Sequence, residues 1–181
     1  MAIPVFLSYP SPHLQSQSSF IASLCANLRS RDLEPRTLGV NEYDVDTPLR
    51  AVRRLMLESN GLITVAFRRT WVREGISRRG ADANGARETE FSDQWLTSPW
   101  CHIEPAMAFQ LGLPIILLRE SGVIADGVLE KGVVGLYMPS FSLDADPDSY
   151  LQGGEWRAIV RKWESRVRTV VDNKGNPPKL Y

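Results

Sequence analysis

The residues best suited to chemistry lie in one stretch, Trp100-Cys101-His102-Ile103-Glu104, which runs on through Pro105 and Gly112-Leu113-Pro114 into the apolar run Ile115–Leu118. Ser98-Pro99 supplies a helix start, with serine as the cap and proline in the first turn. Trp100 and Glu104 are then four residues apart on one helix face, so an indole and a carboxylate point into the same space. Pro105 has no N–H to donate and crowds Cys101. Either the helix kinks there, or Trp100–Ile103 forms a separate turn and Pro105 opens the true helix. In both cases Glu104 lies near a helix N-terminus, where its charged form is favoured. Cys101 and His102 adjoin it, but no Ser, Asp or second His is placed to complete a nucleophilic triad.

The elements around this stretch alternate. Ile3–Leu7 reads as a buried strand ending at Ser8-Tyr9-Pro10-Ser11-Pro12. Phe20, Leu24 and Leu28, with Ile21 and Cys25 beside them, mark an amphipathic helix. A second strand is expected over Glu34–Val40, then a polar loop over Gly39–Thr47. Thr47-Pro48 starts a second helix with Leu49, Val52, Leu55 and Met56 on its apolar face. Asn60-Gly61 stops it ahead of a central strand, Leu62–Phe67. Ile115–Leu118 gives a fourth strand and Val133–Met138 a fifth, separated by a loop with at most a short helix. Trp156, Val160, Trp163, Val167 and Val170 define a closing helix whose other faces carry arginine and lysine. The segment 68–92 breaks the rhythm and is too long for an ordinary connection. It is expected to be an inserted loop beside the active end of the sheet, with a helical turn near Arg87–Trp95.

Alternating strands and helices predict a parallel sheet with right-handed crossovers. The expected fold is α/β and flavodoxin-like: three layers, with a central five-stranded parallel sheet of order 2-1-3-4-5 flanked by helices. The expected organisation is a single domain over residues 1–172 and a tail over 173–181. Lysine plus arginine and aspartate plus glutamate both total 21, so no global field draws in nucleic acid or an anionic membrane. The two cysteines offer neither a disulfide framework nor a zinc spacing, and no metal site is expected. Met1 leads straight into an apolar strand without a basic leader, and no apolar run is long enough to span a bilayer. A cytoplasmic setting is the expectation.

Val5-Phe6-Leu7-Ser8-Tyr9 resembles the first strand of a TIR domain, and Trp-Cys-x-x-Glu at Trp100–Glu104 resembles the motif that carries the catalytic glutamate in TIR-family NAD-cleaving enzymes. The order of elements agrees, with Gly39–Thr47 standing where that family has its BB loop. The likeness extends over residues 3–170 and departs from the family in the long 68–92 insertion and in Pro105. It implies cleavage of the nicotinamide–ribose bond of NAD, with NAD as substrate and no cofactor, to give nicotinamide and ADP-ribose or a cyclic isomer. It also implies Glu104 as the catalytic group and a pocket lined by Ser8, Tyr9, Pro10, Phe67, Trp71 and Trp100. Stand-alone proteins of this kind resemble the Thoeris class of anti-phage defence, in which the product acts on a separate effector. Two alternatives accompany this reading. The Glu104 segment is also similar to nucleoside 2-deoxyribosyltransferases and related nucleotide N-glycosidases, and a non-catalytic TIR module would self-assemble through Gly39–Thr47 and the last helices.

Overall fold

The computed structural model describes residues 2–40, 45, 47–134, 138–144, 146, 148–173 and 176–177. Its centre is a parallel sheet of five strands: β1 (Ile3–Ser8), β2 (Leu33–Arg36), β3 (Leu62–Ala66), and two further strands, Ile115–Glu120 and Ser140–Phe141, in the order β2-β1-β3 followed by those two. With strands counted within this sheet alone, that is the expected 2-1-3-4-5 order. Helix α1 (Gln15–Arg29) links β1 to β2, and α2 (Pro48–Leu57) precedes β3.

Segment 68–92 is not a loop with a helical turn. It belongs to an antiparallel hairpin of β4 (Thr70–Ser77) and β5 (Thr89–Leu96), with Trp71 opposite Trp95 and Gly75 opposite Phe91. Residues 87–95 are therefore largely strand. The ring of Phe91 lies over Gly75 and leaves no room there for a Cβ. The ribbon stands away from the main sheet, so both of its faces carry polar side chains and the usual alternation is blurred. Its root is tied down: Trp95 N–H donates to the Gly122 carbonyl (3.0 Å) and Ile124 N–H to the Trp95 carbonyl (2.8 Å).

After the hairpin come α3 (Trp100–Gln110), β6 (Ile115–Glu120), a 3₁₀ turn at Gly127–Leu129, β7 (Ser140–Phe141), α4 (Ser149–Gln152) and α5 (Gly154–Asp172). The edge strand thus falls after the expected Val133–Met138. Val133 and Val134 are in turn or bend, Met138 is not in a strand, and 135–137 lie outside the described residues. What fixes the edge is Phe141, whose ring stacks on Phe20 at 4.5 Å and 7°. The second strand is shorter than expected, ending at Arg36.

The sheet's two faces carry separate cores. Val5, Leu7, Ile63, Val65 and Phe67 pack against α1 and α5, including Trp156, Val160, Trp163 and Val167. Phe6 and Leu62 face the other way, against Val52, Leu55 and Met56 of α2 and Ala108 of α3. Full burial of each such side chain contributes about 1.5–3 kcal/mol. Leu49, expected on the apolar face of α2, is instead exposed, and Ala51 takes the buried position. Ser8 and Thr64 are in register on β1 and β3. By the strands' twofold alternation they share the α2/α3 face with Phe6 and Leu62.

Candidate active site

Helix α3 is one continuous helix starting at Trp100, with Pro105 inside it. The kink-or-restart alternatives thus resolve as a helix that accommodates proline in its second turn, at the cost of the bond to the Cys101 carbonyl. The Ser98 carbonyl accepts the Cys101 N–H at 2.9 Å. Its hydroxyl lies 3.4 Å from the Trp100 N–H. Pro99 occupies the position between them and is already helical.

Glu104 projects from α3 toward the carboxyl end of β1 and is only 7% exposed. It opens into a cleft of ≈ 480 Å³ walled by Tyr9, Pro10 and Ser11 after β1, Leu38 and Gly39 after β2, Pro48 and Val52 of α2, Arg69, and Ser98 and Trp100 at the start of α3. Trp100 and Glu104 thus meet one space, as their spacing predicts. A second cavity of ≈ 460 Å³ lies around Gly112–Ile115 and the end of α5, lined by Phe109, Val134, Arg166 and Val170 among others. Among the described residues that line it there is no acid, whereas the first cleft holds the buried carboxyl of Glu104.

Burial pushes the Glu104 carboxyl up to about 7, opposed by the Ser8 hydroxyl close by. That hydroxyl favours the charged form without reaching the geometry of a full hydrogen bond. Ser8 Oγ and, beside it, Thr64 Oγ1 are buried with no hydrogen-bond partner among the described residues. An unpaired buried hydroxyl costs about 1–3 kcal/mol. Two of them in register near a buried acid form a polar floor that the fold itself does not satisfy.

Cys101 is not a nucleophile of this site. It is fully buried, and burial raises its thiol to about 11, so it stays protonated at neutral pH. Its Sγ lies 3.8 Å from the Val65 carbonyl, facing the sheet.

Of the residues expected in the pocket, Tyr9, Pro10, Trp100 and Glu104 line the cleft and Ser8 lies beneath it. Tyr9 also packs against the α1 core. Phe67 does not belong here. It faces the opposite side of the sheet, edge-on to Phe20 and Phe141. Trp71 is 52% exposed on the hairpin and is not among the cleft residues. The loop 39–47 contributes Gly39, while 41–44 and 46 lie outside the described residues. The sequence did not point to Arg69, Leu38 or Thr64 as parts of the site, and it marked Val52 only as part of the apolar face of α2. Arg69 had a usable signal, since it follows the carboxyl end of β3, next to β1. Among the described residues no group of three or more His, Cys, Asp or Glu is placed to hold a metal ion. No helix among them is long and apolar enough to cross a membrane.

No protein-family model matches the sequence. Nor does any curated protein match it significantly. Among solved structures, the chain is similar to a CMP N-glycosidase from Clostridium botulinum, at 19% identity over 82% of this chain and 95% of that one, with a TM-score of 0.46. It is also similar to the TIR domains of the activated Roq1 resistosome, at 15% identity over 95% of this chain and 75% of that one, with a TM-score of 0.40. A third structure, the flavoenzyme NAD(P)H:acceptor oxidoreductase of Paracoccus denitrificans, shares 11% identity over 94% and 95% of the two chains, with a TM-score of 0.34. At such identities and scores the likeness does not extend to activity. The chemistry of this chain has to come from its own cleft.

Proposed function

We propose that the protein cleaves the N-glycosidic bond between ribose and a nitrogen heterocycle, with NAD as the substrate and Glu104 as the catalytic group. One observation carries this reading: a carboxylate almost wholly removed from water, at the floor of a cleft, one helical turn from an indole. Breaking such a bond leaves positive charge on the ribose, as in other glycosyl transfers. A fixed carboxylate in a dry site stabilises that charge, and groups of this kind contribute about 3–4 kcal/mol each. Trp100 offers a flat face to the departing ring.

For NAD the step balances without an acid. The C1′–N electron pair leaves with nicotinamide, whose ring nitrogen passes from cationic to neutral. Water then adds to C1′ and releases one proton, giving ADP-ribose; attack by a nucleophile within the substrate gives a cyclic isomer instead. The TIR resemblance of Trp100–Glu104 and Val5–Tyr9 favours this substrate. Self-assembly through 39–47 and a separate effector that responds to the product belong to the same proposal.

The raised Glu104 carboxyl also favours a second reading, a nucleotide N-glycosidase. A base that departs as an anion has to be protonated, and a carboxyl near 7 has that proton to give at neutral pH. The two readings differ in sign. The NAD reaction uses the carboxylate, so its kcat/KM rises as pH increases through about 7; a base-protonating reaction uses the acid and falls over the same range.

The test is incubation of concentrated wild-type protein and Glu104→Gln with NAD and with nucleoside 5′-monophosphates, following nicotinamide and free base. Nicotinamide release that depends on Glu104 supports the first reading. Base release from monophosphates alone supports the second. Release that survives the substitution contradicts both.

A further inference from the structure

Among the described residues that line the cleft, one side chain is cationic, Arg69, opposite in charge to Glu104. Its backbone is held firmly. Arg69 N–H donates to the Leu96 carbonyl at 3.0 Å. The preceding Arg68 N–H donates to Glu120 Oε2 at 2.8 Å, and Gln17 Nε2 donates to the Arg68 carbonyl at 3.1 Å. Glu120 and Gln17 are both buried, so the peptide carrying Arg69 is clamped between the main sheet and the hairpin root.

The two adjacent arginines are used differently. Arg68 spends its charge inside the protein, with Nε 3.7 Å from Glu120 Oε1 and Nη1 3.4 Å from Asp144 Oδ1. Arg69 is exposed to the cleft, and among the described residues no carboxylate pairs with it. Arg69 and Glu104 line the same cleft, and no ion pair joins them among the described residues. The same walls include Pro48 and Trp100, the first residues of α2 and α3. Both helices therefore turn their positive dipole ends toward the space that Arg69 overlooks.

We infer that Arg69 is the phosphate-recognition residue of the cleft, and that the ligand it selects is a phosphorylated nucleoside rather than a free one. The inference rests on the reading of the cleft as a ribose N-glycoside site. It adds the part of the substrate that Glu104 does not touch. With the ribose held at Glu104, a phosphate on its 5′ side would share the cleft that Arg69 lines. A planar guanidinium with five N–H donors suits two phosphate oxygens at once.

Equilibrium binding tests this without requiring turnover. AMP and adenosine are titrated calorimetrically into full-length Glu104→Gln, and into the same protein carrying Arg69→Gln or Arg69→Lys. AMP is expected to bind at least about tenfold tighter than adenosine, as a charge-assisted pair allows. Arg69→Gln should bring the two within about twofold while leaving adenosine unchanged, and Arg69→Lys should keep part of the preference as a point charge. The lysine variant also shows that a loss in Arg69→Gln is not a loss of fold. Equal binding of the two ligands, a preference that survives Arg69→Gln, or no binding of either overturns the inference. An Arg69-dependent preference for AMP in a protein that turns over neither NAD nor monophosphates upholds it and overturns the glycosidase reading instead.

Discussion

Glu104 works against the fold in the state that its proposed chemistry needs. Its carboxyl is raised from 4.5 to about 7, so the folded protein holds a proton there that the unfolded chain has already released. The contribution of this group to stability therefore falls as pH rises from about 4.5 to about 7 and is constant on either side. The full span is worth roughly 3 kcal/mol. Glu104→Gln should remove that slope, so the variant should match or exceed the wild type above pH 7 in urea denaturation while losing activity. A variant that is less stable than the wild type at pH 8 would contradict the buried, unpaired state of the acid. The pairing of Trp100 with Glu104 was legible because helical spacing alone puts them on one face. The polar floor was not: Ser8 and Thr64 are 56 positions apart in sequence and meet only through strand register. Phe67 misled for a related reason. It directly follows β3 at the carboxyl end of the sheet, and which face it takes depends on alternation along the chain and on the distant Phe20 and Phe141.

Two parts of the chain place the charged groups of the cleft. Helix α3 gives Glu104 its direction, and the junction from β3 to β4 gives Arg69 its position. At that junction Glu120 is 2% exposed and accepts the Arg68 N–H. Glu120→Ala should cost about 1–3 kcal/mol by leaving that donor without its partner, and Glu120→Gln should cost less because it keeps an acceptor. Urea midpoints at constant slope measure both. On the sheet's other face, a Cβ at Gly61 would come within 2.7 Å of Val167 Cγ2 and 2.9 Å of Trp163 Cζ2. Gly61→Ala should therefore destabilise by about 1–3 kcal/mol through overpacking, visible as a lower Tm. In the sequence Gly61 is a helix stop; its second role, letting α5 approach β3, depends on a helix a hundred residues later. The central helices and strands were legible because each has a buried stripe of its own. The hairpin was not, because its strands satisfy one another and bury little.

At the scale of the whole molecule, a doubly covered parallel sheet supports a cleft at the carboxyl end of β1, while the β4–β5 ribbon extends from it as a largely separate unit. Shortening the ribbon's tip within 78–88 should leave the Tm and the Glu104-dependent activity close to those of the wild type, since the cleft draws only on the hairpin root. A large loss of activity would instead make the tip part of the site. The expected α/β order survives because it follows from alternation alone, whereas the edge strand moved to Ser140–Phe141 because an aromatic stack, not hydrophobic run length, decides it. In the proposed function, the buried carboxylate of Glu104 drives ribosyl N-glycoside cleavage. Its most direct test is nicotinamide release from NAD at pH 8, where Glu104 is ionised, by wild type and Glu104→Gln at the same high protein concentration. The predicted result is steady release by the wild type and a rate lower by at least about a hundredfold in the variant; equal rates in the two proteins would contradict the account.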